Sequence, residues 1–430
     1  MSMLPLATTI TEAYEAASST VNGASAQPFH VARAQAMRAF LHIGIPTTRH
    51  EEWKYTNVMP LAAKSWQHKP SAWLGSAIAR PSVQLPGLQD AIRITIHNGN
   101  ITLPSQSLPE GLTIGPLSSA AVIDVNEADM CTNPIAAAAL ALASEGVVIE
   151  VADNVQCAIP IHVSITGDSA QQGLLTTTRV VIRAGRFSKL DVIESHHTHG
   201  GADILDLGLC SADVGEGANV SYTKIINDAK QLHHIGQLSA TVAHAGIFAS
   251  HSINLNAGFV RNDVQIKLAG ELSQGFLYGV SILDDSQYVD NHTVVDHMVP
   301  HCHSEELYKG VYNGSSTGVF NGKIYVRPQA QKTTAYQSSH SLLLSGKAQV
   351  NAKPQLEIWA DDVKCSHGAT TGQLNEDAVF YLQARGIDRA KATSLLTYAF
   401  AAEVLVKLPH EGLRGYLMER LAEKLGAESL

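Results

Sequence analysis

Cysteine is scarce. Cys131, Cys157, Cys210, Cys302 and Cys365 are scattered over 430 residues, and no two form a Cys-x-x-Cys pair. An odd, dispersed set argues against a disulfide framework and for a reducing compartment, so a cytoplasmic location is expected. Charged residues make up only 16%, with a net charge of −9. Nucleic acid as a partner therefore has no electrostatic support. No apolar run reaches the roughly 18 residues that a membrane helix needs, and the N-terminus lacks the basic region and apolar core of a secretory signal. Catalytic signatures are missing too. There is no Walker-type phosphate loop, no Gly-x-Ser-x-Gly elbow and no His-Glu-x-x-His.

What is present is alternation. With 45% hydrophobic residues the chain can bury a large core. From about residue 91 to 365, short Val- and Ile-rich runs end at Gly, Asn or Asp, as in AIRITIHNG, GVVIEVAD, TRVVIRAG and DVQIKLAG. That is a strand signature. Ala184-Gly185, Glu216-Gly217, Ala245-Gly246 and Ala269-Gly270 each precede such a run, with glycines 32, 29 and 24 residues apart. Periods of this size suggest stacked solenoid coils.

Helical patterns flank and interrupt the β region, over residues 11–17, 31–43, 133–144, 376–386, 388–407 and 413–425. The expected organisation is a helical N-terminal domain over 1–85, a β core over 86–374 and a helical C-terminal domain over 375–430. A Pro- and Gly-rich linker is expected over 71–89. The stretch LLTYAFAAEVLV, residues 395–406, carries one charge, Glu403, and is apolar nearly all round. Such a helix must be covered on more than one side, by its own chain or by another protein's groove. In RHEEWKYT, residues 49–56, Trp53 and Tyr55 read as anchors with the charges left solvated.

Three groups of residues invite a chemical reading. Glu194, His196, His197 and His199 lie together, as do Asp290, His292, Asp296, His297, His301, Cys302 and His303. Either group suits a mononuclear metal site whose carboxylates orient the imidazoles. The preferred reading is structural, with polar side chains on solenoid turns or histidines bonded to nearby aspartates. The second group keeps open a metal-dependent enzyme on a β-helix. The third is the pair Cys365 and His367. In an extended chain they share one face about 7 Å apart, and thiol and imidazole suit iron or zinc. Gly368 would let the chain bend away beside them. Two ligands cannot close a site that needs about four, and a lone buried cysteine is more often a packed hydrophobe.

The run from Lys332 to Gly372, with AYQSSHSLLLS and PQLEIWADDVKCSHGATTG, and the following EDAVFYLQARGI resemble the SufB/SufD family of iron–sulfur cluster assembly proteins. RHEEWKYT resembles the N-terminal signature of the SufD side of that family. Ser339 and Gly368 stand where the SufB side carries a cysteine and a glutamate. The resemblance implies a mainly β fold, a right-handed parallel β-helix core between small helical domains. It implies a scaffold role without enzymatic activity of its own. It also implies pairing with SufB through the β core and binding of the ATPase SufC through the C-terminal helices. ATP would then sit on SufC and not on this chain, and an isolated chain could form a homodimer. A transient iron–sulfur cluster would be shared with SufB, with His367 as ligand and Cys365 as the weaker candidate.

Overall fold

Each alternating run pairs with the next run but one. Lys189–His199 pairs in parallel with Asn219–Asn227, and the series continues through Ile247–Asn256, Gln274–Leu283, His303–Tyr312, Thr334–Leu343 and Lys364–Gly372. The strands between them, from Leu174–Ala184 to Gln349–Ile358, build a second wall in the same way. One chain thus winds two sheets, of 10 and 11 strands. The result, a computed structural model describing residues 4–20, 28–75, 83–103, 106–119 and 131–427, is a parallel β-solenoid of about ten turns with small helical ends. This is the mainly β architecture that the alternation and the Gly repeat imply.

The repeat has a physical cause. Gly185, Gly217, Gly246 and Gly270 all occupy the corner where the chain leaves the 10-stranded sheet for the 11-stranded one. Corners of successive coils stack tightly there: Gly215 N–H bonds to the Ala184 carbonyl and Gly270 N–H to the Val242 carbonyl. A Cβ at Gly270 would lie 2.0 Å from His244 N, so only glycine fits. Inside the coils, inward positions such as Val192, Val220, Phe248 and Leu277 form a continuous buried core.

Helices cover the outer faces. Pro134–Leu142, capped by Asn133 and buried along its whole length, lies with Pro5–Thr20 and Pro28–Ile43 against Leu205, Leu207, Leu209 and Ile235 of the 10-stranded sheet. On the other side, Arg389–Leu405 is capped by Asp388 and packs on strands Gln274–Leu283 and His303–Tyr312, with Glu411–Leu425 beside it. The all-round apolar helix is therefore covered largely by its own chain.

One detail differs from expectation. Gln67–His68, in the segment expected to be helical and irregular, and Ala72–Gly75, in the expected linker, are strands paired with Leu174–Ala184 and Asn100–Thr102. Runs this short carry no periodicity of their own; their neighbours impose the strand. Part of the linker expected over 71–89, residues 76–82, lies outside the described residues. Among the described residues no helix is long and apolar enough to cross a membrane.

Candidate functional site at the open end of the solenoid

Each coil covers the one before it, and among the described residues no further strand covers the last coil. Gln349–Ile358 and Lys364–Gly372 end their sheets, leaving one side of each backbone without a strand partner. Ala335, Gln337, Ser339 and Ser341 point inward and are buried. Their register partners one coil on are Cys365, His367, Ala369 and Thr371. Cys365 and His367 therefore share the lumen face, as their spacing implies. Cys365 is half-buried against the core, and burial pushes its thiol pKa up. His367 is exposed.

Gly368 does not bend the chain. It sits inside a strand that continues to Gly372, because pairing with Thr334–Leu343 holds it extended. A Cβ there would meet nothing within 4 Å, so there is open space beside His367. Below His367, Gln337 donates to Glu306 at 3.2 Å and Thr293 donates to it at 2.6 Å. Burial, opposed by these two bonds, pushes the Glu306 pKa up to about 7. On the outside of this end, Trp359 is 49% exposed and stacks on Tyr325 at 6.2 Å between ring centroids.

The second histidine group is taken apart by alternation. Asp290 and His292 face outward, with Nδ1 of His292 3.2 Å from Asp290. His297 faces the lumen and bonds to Ser304 at 2.9 Å. His301 occupies a left-handed turn position, with φ +61°. Cys302 is buried, with its Sγ near Ser273 and the Gly270 carbonyl. No common centre forms among these residues, which removes the ligand set of the β-helix enzyme. In the first group, Glu194 and His196 are buried in the lumen while His197 bonds to Ser195 and His199 is exposed.

RHEEWKYT fastens the N-terminal segment across successive rungs of the 10-stranded sheet. Trp53 is buried, with the Arg261 guanidinium 3.8 Å from its ring centroid. Thr56 donates to Asp290, and the Tyr288 hydroxyl donates to the Tyr55 carbonyl at 2.7 Å. The charges are exposed, as expected, but Glu51 and Glu52 are not left to solvent alone. Glu51 pairs with Lys353, and Glu52 with Lys323 and His292. The sequence could not supply these partners, which lie more than 200 residues away.

Two protein-family profiles match the chain. The SufBD core domain of SUF-system FeS cluster assembly spans residues 165–400, and the SufBD protein N-terminal region spans 6–163. The iron–sulfur cluster assembly protein SufD of Escherichia coli is 27% identical over 407 residues, 91% of this chain and 92% of that protein. An iron–sulfur cluster assembly SufBD family protein of Mycobacterium leprae is 25% identical over 390 residues, 89% and 91% of the two chains. One from Synechocystis is 35% identical over 206 residues, 48% and 46% of the two.

Proposed function

The chain belongs to the SufBD family of the SUF iron–sulfur cluster assembly system, and on that premise we propose that it is a SufD-like scaffold subunit and not an enzyme on its own. It pairs with a SufB subunit through the open end of the solenoid. It binds the ATPase SufC through its C-terminal helices, and SufC carries the nucleotide. It holds a nascent cluster, as cargo, between His367 and ligands from SufB.

The observation that carries this reading is the uncovered last coil. An exposed strand edge beside a lumen-facing imidazole suits a partner that adds the next coil and the missing ligands. Neutral imidazole can replace thiolate on iron. For SufC, support comes from helix Glu376–Gln383, where Phe380 and Tyr381 are 71% and 56% exposed. The same open edge is the surface through which two copies of the isolated chain would pair. The domain division at about residues 85 and 374 belongs to this reading, as does a cytoplasmic location.

Co-expression with SufB and SufC tests it. A complex of all three is expected. Truncation before Asn375, which removes all three C-terminal helices together with Phe380 and Tyr381, should abolish SufC retention and leave SufB pairing largely intact. A truncated chain that retains SufC normally would place docking elsewhere, and failure of the full chain to retain SufB would remove the scaffold reading.

A further inference from the structure

Well back from the open end, several coils from Cys365 and His367, the lumen holds a polar centre. Alternation turns Glu194 and His196 of Lys189–His199 inward, with Tyr222 and Lys224 of Asn219–Asn227. From the facing sheet come Asp206 of Ile204–Val214 and His234 of Leu232–Val242. All six are buried. Glu194, His196 and His234 offer ligand atoms that lie within 4.8 Å of one another, and the two imidazole centroids are 4.4 Å apart.

The surroundings orient these side chains. Asp206 Oδ2 lies 3.0 Å from His234 Nδ1 and 3.5 Å from His196 Nδ1. Its other oxygen accepts from Thr176 at 2.9 Å and Thr178 at 3.3 Å. This carboxylate orients the His234 ring from its Nδ1 side and lies near Nδ1 of His196, a buried nitrogen that makes no hydrogen bond, so Nε2 of each ring faces the centre. Metal-ligating histidines are characteristically held this way. Glu194 Oε2 accepts from the Tyr222 hydroxyl at 2.6 Å, and Oε1 lies 2.7 Å from His196 Nε2. Glycines make the room. A Cβ at Gly236 would lie 2.4 Å from His234 Nε2 and 2.6 Å from Lys224 Nζ, and one at Gly208 would lie 2.8 Å from His234 Cε1.

A cation already stands where the ligands converge. Lys224 Nζ is 3.0 Å from His234 Nε2 and 3.7 Å from Glu194 Oε1. The ammonium thus occupies, with one carboxylate and one imidazole beside it, the space in which the three candidate ligands meet. We propose that the lumen centre is a binding site for one divalent transition metal, ligated by Glu194, His196 and His234, with the Lys224 ammonium filling it in the metal-free chain. Two imidazoles and a carboxylate suit zinc or iron(II). On binding, the ammonium leaves the centre and the two imidazoles offer Nε2 to the metal.

The test uses the full chain refolded anaerobically with Co²⁺ as the probe, because the centre is enclosed. Lys224→Met removes the stand-in and keeps every ligand. It should take up one Co²⁺ per chain, with the intense visible bands of a tetrahedral site, at least tenfold more tightly than wild type. Adding His234→Ala or Glu194→Gln to Lys224→Met should abolish the bands, whereas adding His197→Ala or His367→Ala should not. Zn²⁺ and Fe²⁺ as competitors then identify the preferred metal. A folded Lys224→Met chain without Co²⁺, or bands that survive loss of His234, would overturn the proposal. If Lys224→Met does not fold, wild type refolded with Co²⁺ decides: uptake that is lost in His234→Ala supports the site, and no uptake overturns it.

Discussion

Arg261→Met withdraws the cation on which the N-terminal anchor rests. Arg261 donates from Nε and Nη2 to the two oxygens of Asp263 at 2.9 and 2.8 Å, and from Nη1 to Asp290 at 2.6 Å. All three side chains are buried, and methionine fills similar space without charge. Breaking a buried pair from one side costs about 3–5 kcal/mol, because the remaining carboxylates stay desolvated without their guanidinium. The lost contact with Trp53 is part of that figure and not added to it. A long solenoid does not unfold in one step, so native-state hydrogen exchange is the suitable assay. Residues 51–56, 259–268 and 288–297 should lose about 3–5 kcal/mol of protection at pH 7, while the C-terminal coils change little. In the double variant with Asp290→Asn, the loss should fall short of the sum of the single losses. A loss under about 1 kcal/mol, or strict additivity, would show that Arg261 and Asp290 are not one unit.

Three further outcomes follow from particular side chains. Burial lifts Glu306 from 4.5 to about 7, so its folded form is favoured while protonated and loses that advantage as pH rises through this window. The displacement is worth roughly 3 kcal/mol. Glu306→Gln should thus be roughly 2–3 kcal/mol more stable than wild type at pH 8 and about equal at pH 5 in denaturant titrations; a gap that persists at pH 5 would contradict the assignment. Glu52 is lowered to about 2, chiefly by its bond with His292 and with help from Lys323 against burial. Its contribution is present above about pH 4.5 and fades toward pH 2, and because the side chain is 47% exposed, Glu52→Gln should cost only about 1 kcal/mol at pH 7. An equal loss at pH 2 by hydrogen exchange would refute the pairing. Phe380→Ala with Tyr381→Ala should shift stability by less than about 0.5 kcal/mol yet weaken SufC capture at least tenfold; unchanged capture would move the docking surface.

The solenoid was legible because its two determinants are local. Alternation writes the strands, and the corner glycines at 185, 217, 246 and 270 write the coil length. The short strands at residues 67–68 and 72–75 were not legible, since pairing alone holds them. At the open end, the shared face of Cys365 and His367 could be read from an i, i+2 spacing. That nothing covers this face could not, because exposure depends on where the winding stops. The lumen centre shows the same limit. Glu194 and His196 are neighbours in sequence, but Asp206, Lys224 and His234 join them only through the stacking of coils. The available signal was polar residues at inward positions of otherwise apolar strands, as in ILDLGLC and VSYTKII.

The central claim is that His367 at the open end is a ligand in a site completed by SufB. The most direct measurement is iron content and visible absorbance of the purified three-protein complex carrying His367→Ala, after cluster loading in cells or by reconstitution. The side chain is exposed, so the complex should assemble in normal proportion while cluster loading falls at least tenfold, with Cys365→Ser milder. Normal loading with His367→Ala would contradict the claim, and failure of the complex to assemble would make the residue's role structural.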